Sequence, residues 1–137
     1  APGGTQPRGL AEFDENGVDI TLIRWMLSLS PAERLGVLER FVAAYSKSVP
    51  EIPPFDLLAI LRTLCTYRVD FIVVGGVGAT LHGSPEATFD LDVLHSTSAE
   101  NAARLLAALG ELEARYRMPA GSRAAPSVSH LVSPGHQ

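Results

Sequence analysis

The sequence predicts an α/β (α+β) protein, a small mixed sheet with flanking helices, preceded by an N-terminal helical pair. Three observations predict it. Segments with apolar residues at helical spacing alternate with two short runs rich in β-branched and aromatic residues. The first run ends at Gly75-Gly76, where a strand would give way to a helix. The second, Phe89-Asp90-Leu91-Asp92-Val93-Leu94, alternates apolar and acidic side chains, as a half-buried strand does.

Residues 1–17 are dominated by glycine, proline and polar side chains and are expected to form a disordered lead, with Leu10 and Phe13 as candidate anchors. The helical pair occupies 18–48. Ile20, Leu22, Ile23, Met26, Leu27 and Leu29 give its first helix an apolar face, with Trp25 packing near it. Ser30-Pro31-Ala32-Glu33 opens the second. A serine can cap a free N–H, proline suits the first helical position, and Glu33 can reach back to complete a capping box. Leu35, Leu38, Phe41, Val42 and Tyr45 follow at helical spacing. Pro50, Pro53 and Pro54 then hold 49–54 extended as a linker, and the domain boundary is placed there.

The second domain, 55–137, alternates. A helix is expected over 56–67, with Leu57, Leu58, Ile60, Leu61 and Leu64 inward and Cys65 as a small core residue rather than a nucleophile. A buried strand follows over 69–74, then a short helix over 77–82 and a Gly83-Ser84-Pro85 turn. The second strand is expected over 88–94. Thr97 and Glu100 read as a capping box for a helix over 98–115, with Ala102, Leu105, Leu106 and Leu109 inward. Residues 118–130 are expected to be a mobile loop, and 130–132 to begin a third strand.

Bulk properties exclude several classes. Net charge is −4, Lys47 is the only lysine, and no basic block appears, so a footprint for duplex DNA is lacking. The apolar stretch 71–81 is too short and glycine-broken to cross a bilayer. One cysteine cannot form an intramolecular disulfide, and no Cys/His cluster has zinc spacing. With no signal-peptide pattern at the start, a cytoplasmic setting is the default.

Two features carry chemistry. Asp90 and Asp92 fall on one face of the second strand, while Phe89, Leu91 and Val93 face the core. Two carboxylates so close repel by about 2–4 kcal/mol at an effective dielectric near ~20. A divalent cation reverses the sign of that interaction, and hard oxygen ligands suit Mg²⁺ or Mn²⁺. The alternative is an exposed strand face whose acids meet water. Gly75-Gly76-Val77-Gly78-Ala79-Thr80 is the second feature. Glycines after a strand let backbone approach a phosphate, and the next helix offers free N–H groups. A tight turn with no ligand is the alternative. A dinucleotide fingerprint fails because Leu81 stands where a third glycine is needed. A P-loop fails for want of a lysine.

A strand ending in Gly-Gly, then thirteen residues, then Asp-Leu-Asp resembles the signature of the DNA polymerase β-like nucleotidyltransferases. Leu81-His82-Gly83-Ser84-Pro85-Glu86-Ala87-Thr88 between them is similar to small bacterial members, which include toxins of toxin–antitoxin and abortive-infection systems. The likeness extends through 56–117, and 19–41 resembles the leader of such proteins. The resemblance implies a nucleotidyltransferase-like fold in 55–137. It implies a metal site at Asp90 and Asp92, which are also the catalytic residues, and nucleotide binding by Gly75, Gly76, Ser84 and Thr88. The reaction implied is transfer of NMP from a nucleoside triphosphate to a hydroxyl of RNA, protein or a small molecule.

Two positions depart from the pattern. Glu86 stands where related sequences often carry a basic residue. No acid after Asp92 suits a later strand: Glu100, Glu111 and Glu113 fall on the following helix, and 114–137 hold no Asp or Glu. The domain is therefore expected to be incomplete at its C-terminus and weak or inactive by itself. The alternatives are a degenerate or truncated binding or regulatory module, or one completed by a partner, an antitoxin or self-association. His82, His95, Arg115 and Arg117 are weaker candidates for contacting a phosphate or base. For each, an exposed histidine or a basic helix end is the simpler account.

Overall fold

The computed structural model describes residues 5–49, 56–116 and 124–133. Among them the chain is mixed α and β, with six helices and a two-stranded antiparallel sheet. The helices are α1 (Ile20–Ser28), α2 (Pro31–Ser48), α3 (Leu57–Thr66), α4 (Gly75–Leu81), α5 (Ala99–Glu111) and α6 (Val128–Leu131); the strands are β1 (Phe71–Val74) and β2 (Asp92–His95). The expected mixed sheet is thus an antiparallel pair. No helix among the described residues is long and apolar enough to cross a membrane.

Two compact units emerge from the contacts. One joins 1–56 with 73–93, and the other joins 57–72 with 94–137. The helical pair therefore belongs with α4 and the segment leading to β2. Most of the linker expected over 49–54 lies outside the described residues, as do Arg117 and half of the loop expected over 118–130.

In the first unit, local signals set both long helices. Asp19 caps α1 by accepting the Leu22 N–H at 3.0 Å. At the start of α2, the Ser30 hydroxyl oxygen accepts the Glu33 N–H, and the Glu33 carboxylate accepts the Ser30 N–H at 2.8 Å. The predicted capping box is present. Ser30→Ala is expected to cost about 1 kcal/mol, read as a lower midpoint in urea unfolding. The Ser30 N–H, and then its hydroxyl, hold the Glu33 carboxyl below the usual glutamate range. Because the folded value is the lower one, this contribution is complete above the unfolded pKa. It fades as pH falls through the folded value.

Met26, Leu29, Leu35, Leu38, Val42 and Val77 form the core of this unit, with α2 packed on α4. Arg34 fastens the helices together: its guanidinium donates to the carbonyls of Met26 (2.8 Å), Leu27 (3.1 Å) and Leu81 (2.5 Å). Local bonds shape the end of the lead. Asp14 accepts the N–H groups of Asn16 and Val18, and Phe13 bridges to Asp19. The side chains of Leu10 and Phe13 are nonetheless exposed.

The second unit closes around Leu64, Val69, Leu105 and Ala108, with Ile60, Tyr67, Phe71, Leu109 and Leu131 packed against them. Asn101, which the sequence did not single out, is 0% exposed and stitches this unit together. Its side-chain oxygen accepts the Asp70 N–H at 2.7 Å, and its amide nitrogen donates to the carbonyls of Asp70 and Ser96 at 3.1 and 2.8 Å. This is why β1 begins at Phe71 and not at Val69: Asp70 gives its N–H to a side chain. Ser98, not Thr97, caps α5. The helix ends at Glu111 and not near 115, because Glu113 turns to φ 52°. Cys65 is exposed, so the expected core role is wrong; it lies on the face of α3 away from Leu57 and Leu64. Residues 128–131 form a helical turn and not a strand. Tyr116 holds that turn, its hydroxyl 2.6 Å from His130 Nδ1 and accepting the Ser127 N–H.

Candidate functional site

The glycine pair sits where β1 passes into α4, and its shape follows from what lies over it. Gly75 has φ +64°, a conformation that costs an L-residue about 1–2 kcal/mol. A Cβ at Gly75 would collide with the Asp92 carboxylate. At Gly76, a Cβ would stand 2.6 Å from both the Cβ and the hydroxyl oxygen of Thr88. A side chain at Gly75 would require the Asp92 carboxylate to swing away, and one at Gly76 would require Thr88 to move. The helix α4 starts at Gly75, two residues before the expected position, and no side chain caps it. Its first N–H groups therefore lack helical partners.

The acidic pair is presented as the alternation predicted. Asp90 and Asp92 are exposed, whereas Phe89, Leu91 and Val93 are half-buried. Only Asp92 lies on a strand, because the ladder begins there and not at Thr88. Two local forces explain the shortening. The Thr88 hydroxyl lies 3.4 Å from both the N–H and the carbonyl of Asp90, competing with a ladder. Phe89 packs on α2, with ring centroids 5.1 Å from Tyr45 and 6.5 Å from Phe41. No hydrogen bond or ion pair engages the Asp92 carboxylate among the described residues.

The structure thus sets Gly75 against Asp92 and Gly76 against Thr88, with Asp90 beside Thr88. Ser84 is placed differently. Its N–H donates to the Ala79 carbonyl, its hydroxyl accepts the Glu86 N–H at 3.3 Å, and it lines a cavity beside α1 and α2. His82 caps the end of α4 and lines a smaller hollow. The Nδ1 of His95 lies 3.1 Å from the Ser96 carbonyl. Arg115 turns back onto the Ala114 carbonyl.

As a metal site, Asp90 and Asp92 supply the hard carboxylate oxygens that Mg²⁺ or Mn²⁺ favours, so the donor chemistry fits. Among the described residues no group of three or more His, Cys, Asp or Glu is arranged to hold a metal ion. Sequence reasoning missed the cavity and its Arg40. The available signal was the recurrence of Leu22, Trp25, Val37 and Phe41, which brings aromatic and aliphatic side chains of both helices to one hollow. Compared with family models, curated proteins and solved structures, the chain matches none.

Proposed function

We propose that this chain is a nucleotidyltransferase-type protein that binds a nucleoside triphosphate with Mg²⁺ or Mn²⁺. It would transfer NMP to a hydroxyl of an RNA, a protein or a small molecule. The approach of the Asp92 carboxylate to Gly75 carries the reading. It puts a potential metal ligand at the uncapped start of α4, where a phosphate would also be favoured. Asp90 and Asp92 would hold the cation, Gly75 and Gly76 would leave room for phosphate oxygens, and Thr88 could donate to one of them. In transfer, the acceptor oxygen attacks the α-phosphorus, the bond to the bridging oxygen breaks, and pyrophosphate departs with that electron pair. The cation, when bound, offsets charge on the phosphates and on the leaving group.

The test is calorimetric titration with Mn²⁺ and ATP or GTP, on the wild type and on Asp92→Asn. Wild-type binding is expected, weakened by about two orders of magnitude in the variant, the scale of one lost charge-assisted contact of ~3 kcal/mol. Matching thermal transitions would show that the variant is folded. Failure of the wild type to bind at millimolar ligand overturns the reading.

A second reading, binding without turnover, has its own support. The acceptor's proton needs a base, and two carboxylates occupied by a cation are poor ones. The exposed Glu86 adds negative charge to the segment that leads to Thr88. Release of pyrophosphate with an acceptor present would remove this second reading.

A further inference from the structure

The first unit contains a cavity of about 720 Å³, within the range of small-molecule sites. Its walls include Trp25, Met26, Leu38 and Phe41, and two charged residues line it, Arg40 and Glu86. These two are not ion-paired to each other, and neither side-chain charge has a partner among the described residues. A purely anionic ligand would gain from Arg40 and lose against Glu86; a cation would meet the reverse. An uncharged apolar ligand would meet the apolar walls and engage neither of these exposed charges. A ligand carrying both signs beside an apolar body satisfies every wall.

We propose that this cavity binds an apolar α-amino acid, free or as a dipeptide, with its carboxylate toward Arg40, its ammonium toward Glu86 and its side chain against Trp25 and Phe41. Guanidinium and carboxylate pair well through two parallel hydrogen bonds, which favours Arg40 as the carboxylate's partner. The segment that carries Glu86 runs directly into Thr88, which rests on Gly76, so occupancy would bear on the glycine turn. The inference stands apart from nucleotidyl transfer, since its test uses neither nucleotide nor cation.

Trp25 is the only tryptophan and lines the cavity, so its fluorescence reports occupancy in the full chain. The probes are L-leucine and the Leu-Leu dipeptide, with 4-methylpentanoate and 3-methylbutylamine as analogues bearing one charge each. A saturable change is expected with L-leucine or the dipeptide, and the tighter of the two identifies the form recognised. Both analogues should bind at least ~10-fold more weakly, and Arg40→Gln and Glu86→Gln should each weaken binding of the preferred probe by ~10-fold or more. Arg40→Lys, which keeps the charge but not the two parallel hydrogen bonds, should bind more tightly than Arg40→Gln and more weakly than the wild type, which guards against loss through misfolding. No saturable change up to ~10 mM, analogues that bind equally well, or affinity indifferent to both variants would overturn the proposal.

Discussion

Gly75→Ala is expected to abolish nucleotide and Mn²⁺ binding and to lower stability, the largest functional effect of any single methyl group in this chain. Two independent costs coincide there. The backbone at φ +64° penalises any L-residue by about 1–2 kcal/mol, and the new methyl would overlap the Asp92 carboxylate. The carboxylate can yield only by leaving the mouth of α4, or the turn can yield only by changing φ. Either way, the acid and the glycine backbone part. Calorimetric titration with Mn²⁺ and nucleotide, paired with urea unfolding, checks both halves. A variant that keeps wild-type affinity would show that the contact between Asp92 and Gly75 has no part in binding.

Asn101→Leu is expected to be the most destabilising single substitution, by roughly 3–5 kcal/mol, although leucine nearly matches asparagine in size. The buried side chain serves three backbone groups, and its loss leaves the Asp70 N–H and the Ser96 carbonyl without those partners. Urea unfolding measures it as a lower midpoint at an unchanged slope. Asn101→Ala should fall in the same range, because the lost hydrogen bonds dominate over the change in volume. A cost below ~1 kcal/mol for both variants would show that water replaces the amide without penalty.

The parts of this fold that were legible in the sequence are those whose causes are local. Ser30, Pro31 and Glu33 sit within one turn, so the capping box could be read without knowing the tertiary structure. The exposure of Asp90 and Asp92 could be read from the alternation of acidic and apolar residues, although only Asp92 joins the strand, and the glycine turn from its position after a β-branched run. What stayed hidden depends on distant partners. Asn101 looks like one polar residue on a helix until Asp70 and Ser96 arrive beside it. Residues 128–131 have β-friendly composition, yet Tyr116 and His130 hold them as a helical turn. Cys65 lies in an apolar run, but the inward face of α3 is set by Leu57 and Leu64, and Cys65 follows Leu64 by only one residue. The reach of Arg34 to the Leu81 carbonyl, 47 residues away, has no sequence signature at all.

That long reach governs the order in which the molecule can assemble. A seven-residue helix such as α4 does not persist alone in water, since its nucleation cost outweighs the few bonds it closes. Its last turn is secured only once α1 and α2 have met and seated the guanidinium. Closing so wide a loop is slow compared with forming either long helix. The bend after Val74 is therefore a late arrival in refolding, formed only after α1 and α2 have met.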